Sequence, residues 1–167
     1  MSPPSFIATA RFAKVLDRLS FIVPLLTRLT LGLAFVQTGL GKWQHFDRTV
    51  EFFATLGIPA PTVNVVFIAT LELVGGAFLI LGLLTRLTSA GLASTMVVAL
   101  MTAERADVFS SWLPSSPTSP TDITSYTFLV FLLWLLFYGP GAASLDALIF
   151  RKRTAARNEA AAMGEAA

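Results

Sequence analysis

Between residues 20 and 139 polar side chains are so sparse that the chain divides into four long apolar stretches with polar joins. The first runs from about Ser20 to Gly41 and is interrupted by Arg28 and Gln37. The second runs from about Thr62 to Leu84 with one charge, Glu72, and the third from about Leu87 to Ala103 with none. The fourth, about Ile123 to Gly139, contains the unbroken apolar and aromatic run from Phe128 to Tyr138. A helix needs about 20 apolar residues to cross roughly 30 Å of hydrocarbon, and each stretch is near that length. A water-soluble bundle would need a polar face on every helix; the third and fourth stretches offer none. The pattern therefore predicts an all-α integral membrane four-helix bundle, with helices over 20–41, 62–84, 87–103 and 123–139. The second and third, joined almost directly, are predicted antiparallel neighbours.

The joins differ in character. Between the first two helices, Asp47 can cap a short helix and Gly57 can end it, with Val50, Phe53 and Ala54 on one face. Between the last two, prolines at 114, 117 and 120 predict an extended, mobile connection, with Trp112 at headgroup depth. Gly139-Pro140-Gly141 stops the fourth helix, and Ser144 to Phe150 forms a short amphipathic coda. The chain thus divides into an amino-terminal segment (1–19), a membrane domain (20–150), and a basic, then disordered, carboxyl tail (151–167).

Composition agrees. Of 167 residues 54% are hydrophobic and 13% charged, and the mean hydropathy is +0.71; soluble domains carry about a quarter charged residues. With no cysteine, disulfides, iron–sulfur clusters and thiolate zinc sites are excluded. The lone His45 cannot supply a bis-histidine haem site, and no metal site is predicted. Lysines and arginines gather at the helix ends, which points to lipid rather than nucleic acid. Eight of them flank one side (Arg11, Lys14, Arg18, Arg86, Arg151, Lys152, Arg153, Arg157) and three the other (Lys42, Arg48, Arg105). The positive-inside rule then places both termini in the cytoplasm. The first stretch begins like a signal peptide, but its length, its internal arginine and its Gly-Lys-Trp-Gln-His end predict a retained helix.

Charges within a span carry the chemical information, since each costs about 2.5–3.5 kcal/mol at a helix centre. At 1.5 Å per residue, Arg28 lies roughly 12 Å from one end of its span and Glu72 roughly 15 Å from the other. An Arg28–Glu72 pair near mid-membrane is the economical expectation. Such a pair either fixes helix register or lines a polar pocket for a ligand, a quinone headgroup or a proton. Gly32, Gly75 and Gly76, one turn from these charges, would let the helices approach closely. A second polar group, Gln37, Lys42 and His45 with Gln44, gathers at the far end of the first helix. It is either a shallow surface site or, more simply, a wet helix end. Glu104, Arg105 and Asp107 lie on the same side, within reach of Lys42 or Arg48. No phosphate-cradling loop, nucleophile elbow or Cys/His ligand set occurs, so no catalytic residue is assigned.

Several segments in order resemble the DoxX family of small bacterial membrane proteins: Arg28-Leu-Thr-Leu-Gly32, Gly39-Leu-Gly-Lys42, Leu56-Gly-Ile-Pro59, Glu72-Leu-Val-Gly-Gly76, Leu81-Gly-Leu-Leu-Thr-Arg86, and Gly139-Pro-Gly141 with Ser144-Leu-Asp146. The resemblance covers about Leu25 to Phe150. It implies four helices in the cytoplasmic (inner) membrane and an association with quinone-linked oxidoreductases, and Arg28, Lys42, Glu72 and Arg86 match its polar pattern. The leading expectation is an accessory or anchor subunit of such a system, in contact with the lipid bilayer, an oxidoreductase partner and a quinone. A small carrier for a hydrophobic compound and a non-catalytic assembly protein are the alternatives, and four short helices leave homo-oligomerisation open.

Overall fold

The computed structural model describes residues 19–113 and 116–149. The amino-terminal segment, residues 114–115 of the proline-rich connection, and the chain from Phe150 onward lie outside the described residues. The elements are α1 (Ile22–Gln44), α2 (Phe46–Thr55), α3 (Pro61–Leu81), α4 (Thr85–Met101), α5 (Arg105–Ser111), a 3-10 turn (Pro120–Asp122) and α6 (Thr124–Tyr138). A helical turn follows at 145–149, and no strand occurs among the described residues.

Glycine sets the tightest packing. A Cβ built on Gly32 would come within 2.7 Å of the Gly76 carbonyl oxygen, and one on Gly76 within 2.7 Å of the Gly32 carbonyl oxygen. A Cβ on Gly39 would lie 2.7 Å from the Leu73 backbone nitrogen. Backbone therefore meets backbone, the contact small residues permit between helices in lipid, and α1 and α3 form the most extensive pair. α4 packs on α6, and the contact of α3 with α4, where Gly75 faces Leu92, joins the two pairs. The core is Leu31, Phe35, Leu79, Leu92, Ala93, Met96, Leu132 and Leu135, with the Phe128 ring tilted against Phe35 at 5.5 Å.

Large apolar side chains cover the outside. Phe67, Leu87 and Phe137 are 61%, 69% and 77% exposed, an arrangement that suits hydrocarbon and not water. α1 and α3 are each long and apolar enough to cross a membrane. α4 qualifies together with α5, which turns away from it by 81°, and α6 is apolar but has 15 residues.

Three local expectations need correction. Asp47 does not cap α2; His45 is the N-cap residue, without a side-chain bond, and Asp47 falls in the first turn. Gly57 does end α2: at φ +71° it lets Gly57 N–H donate to Ala54 O (3.0 Å) and Ile58 N–H to Phe53 O (3.1 Å), the paired closure that a left-handed residue makes available. Of the predicted α2 face, Phe53 is buried and Val50 half-buried, while Ala54 is exposed. The connection before α6 is not wholly extended, because Ser119 and Asp122 close a capping box around the turn that Pro120 begins. α5 was not anticipated, since its polar sequence carries no apolar periodicity.

Candidate functional site

The two ends of the bundle carry different polar chemistry. At the Arg86 end, α3 stops at Gly82 (φ +66°) and α4 starts after Leu84 (φ +48°). The first N–H groups of α4 have no partner in their own helix. Asp146, from the turn after α6, supplies one: its Oδ1 accepts from Leu84 N–H (2.8 Å) and its Oδ2 from Thr85 N–H (2.9 Å). Asp146 N–H donates in return to Gly82 O at 3.0 Å. Ser144 caps the following turn, accepting from Ala147 N–H at 3.1 Å.

Arg28 threads into this knot. It is 1% exposed, its Nη2 donates to Ala143 O, and its guanidinium lies where a Cβ on Gly82 would fall. Its Nε and Nη1 have no hydrogen-bond partner among the described residues, and Asp146 provides the opposing charge that acts on it.

Arg28 and Glu72 are therefore not paired. The α1–α3 contacts place Glu72 about one turn short of Lys42, and about 15 Å from Arg28 along the axis. Glu72, whose side chain is 4% exposed, accepts instead from Lys42 Nζ at 2.5 Å. This is the one ion pair among the described residues.

The Lys42–Glu72 pair borders a cavity of about 270 Å³ at the α2 end, between α1, α2, α3, α4 and α6. Phe35, Phe53 and Phe128 give it an aromatic wall; Met96, Leu56 and Ile68 extend the apolar lining. Lys42, Glu72 and Glu104 are its charged groups. Of the second predicted cluster only Lys42 reaches the cavity. Gln37 and His45 are exposed on the outer side of α1, so the three are not brought together. A lining of aromatic carbon with a few placed charges is the usual make-up of a small-molecule site.

The places of two acidic side chains escape a sequence reading. Glu104 looks like an exposed helix-end acid and instead lines the cavity without an ion-pair partner among the described residues. Asp146 looks like part of a surface coda and instead caps another helix. The segments from Leu81 to Arg86 and from Gly139 to Asp146, sixty residues apart, held the signal for the second.

Comparison with known proteins gives a consistent picture. Residues 23–105 match the DoxX family. The Bacillus subtilis protein named "Putative oxidoreductase CatD" is 36% identical over 80 residues, 48% of this chain and 58% of that protein. The Escherichia coli "Inner membrane protein YphA" is 31% identical over 65 residues, 39% of this chain and 46% of that protein. The chain thus spans about half the length of the curated relatives it matches. No solved structure matches it.

Proposed function

From residues 23–105 this chain belongs to the DoxX family, and on that premise we propose that it is a multi-pass inner-membrane subunit serving a quinone-linked oxidoreductase. The cavity at the α2 end is the observation that carries the reading. Its size, about 270 Å³, suits a single substituted ring with the start of a tail. Phe35, Phe53 and Phe128 offer faces and edges for such a ring.

The polar groups fit a quinone headgroup. Lys42 spends one N–H on Glu72 and, as an ammonium with three donors, has others for a ring carbonyl. Glu72 and Glu104 can accept from a ring hydroxyl. A bound quinone would carry electron pairs and protons between membrane enzymes. This chain's own part is to hold the ring, orient its oxygens and keep water from most of it. The oxidoreductase and inner-membrane names of the relatives support the redox association and the compartment.

In this reading α1, α3, α4 and α6 all cross, the last two as short spans. Both termini are cytoplasmic and the cavity opens toward the outer leaflet.

The test is extraction. Wild-type protein purified in mild detergent should release an isoprenoid quinone detectable by mass spectrometry, and the double variant Lys42→Met/Glu72→Gln should lose it. A wild-type preparation that yields some other hydrophobic compound and no quinone would favour a carrier and end the quinone reading.

A further inference from the structure

Glu104 sits where α4 gives way to α5, and its backbone is fully employed. Its N–H donates to Ala99 O (3.0 Å) and its carbonyl accepts from Val108 N–H (2.9 Å). It is the N-cap residue of α5 but makes no side-chain cap bond, so the ordinary structural duty of an acid at that position is absent. The side chain lines the cavity instead. Its Oε2 is closed off from water and has no hydrogen-bond partner among the described residues. A buried acceptor left without a donor is costly, and a ligand that brings one is favoured.

None of the other polar groups of the cavity donates to that oxygen. The Lys42 ammonium donates to Glu72 and makes no ion pair with Glu104. The hydroxyl of Thr102 donates to Val98 O (2.7 Å), that of Thr95 to Leu92 O (2.8 Å) and that of Thr38 to Phe35 O (3.1 Å). Each is turned back on its own helix. Thr124 and Ser125, at the start of α6, also line the cavity, and among its charged groups two carboxylates stand against one ammonium.

We propose that Glu104 is a further ligand-contacting residue, and that it makes the cavity favour the hydroxyl-bearing, reduced form of a ring compound over its carbonyl-bearing form. A ring hydroxyl donates to the carboxylate; a ring carbonyl cannot, and would set oxygen against oxygen. A cationic ligand would also bring donors but would meet the Lys42 ammonium. The proposal rests on the cavity being the ring site, and adds the form of the ring it selects.

The experiment is anaerobic calorimetric titration of the full chain in lipid nanodiscs with a matched pair, a short-chain dimethoxy-methyl benzoquinol and the corresponding benzoquinone. Wild type should bind the quinol at least about tenfold more tightly, the range expected for a hydrogen bond to a charged group. Glu104→Gln should bring that ratio below about threefold while quinone affinity stays put. Glu104→Ala, which removes no cap bond, should do the same, and the exposed neighbour change Asp107→Asn should leave the ratio at its wild-type value. An equal affinity for both forms in wild type, or a preference that survives both Glu104 changes, overturns the assignment of Glu104 alone. Failure of wild type to bind either form overturns the ring site itself.

Discussion

Lys42 and Glu72 do not share the cost of burial equally. The Glu72 side chain is 4% exposed and held on the α1-facing side of α3, whereas Lys42 is 24% exposed near the end of α1. If Glu72 is neutralised, Lys42 has a flexible stem and can carry its charge to the interface. If Lys42 is lost, Glu72 keeps a carboxylate among apolar neighbours and has nowhere to take it. Removing one partner of a buried pair costs about 3–5 kcal/mol because it strands the other. Lys42→Met should therefore destabilise the protein by roughly 3 kcal/mol, Glu72→Gln by clearly less, and the double change should recover most of the first loss. Equilibrium unfolding in mixed micelles measures all three, and a larger loss for Glu72→Gln than for Lys42→Met would refute the asymmetry. The sequence shows that these charges lie in apolar stretches, but not which of them meet. Depth counted from the span ends puts Arg28 and Glu72 at one level. The real register is set where Gly32 meets Gly76 and Gly39 meets Leu73, a detail of backbone approach that no count of residues from a span end contains.

Among the elements, the long helices are legible because hydrocarbon imposes both their length and their composition. Observed α1, α3, α4 and α6 fall within about three residues of the predicted boundaries. The residual errors have tertiary causes. α4 begins at Thr85 rather than Leu87 because a carboxylate sixty residues away takes its first N–H groups. α5 breaks from α4 by 81°, and polar residues at a bend leave no periodic signature. Asp146 is thus a helix cap delivered from another segment, and its effect should be local. Asp146→Ala should cost about 1–2 kcal/mol, the usual worth of an N-cap side chain, and should raise amide hydrogen exchange in the first turn of α4 more than in α3 or α6. Exchange that is unchanged at Leu84 and Thr85 would show that these bonds add nothing to the fold.

At the scale of the whole molecule, one end is pinned and the other is hollow. The Arg86 end ties α1, the α3–α4 turn and the segment after α6 into a single knot through Arg28, Gly82 and Asp146. The α2 end leaves room for a cavity beneath an amphipathic helix. A ligand that enters from the bilayer would meet the hollow end, so the side of the membrane that end faces decides which compartment exchanges protons with the site. The positive-inside rule predicts that the pinned end is cytoplasmic, eight lysines and arginines against three, and the cysteine-free sequence makes this directly measurable. Thr55→Cys at the end of α2 and Ala142→Cys beside the knot are both exposed positions on opposite ends. In intact spheroplasts a membrane-impermeant maleimide should label the first and spare the second, and after lysis it should label both. The reverse order would invert the molecule and put the cavity on the cytoplasmic side. Labelling of both before lysis would mean that the two ends share a compartment, and would overturn the proposed arrangement of four crossing helices.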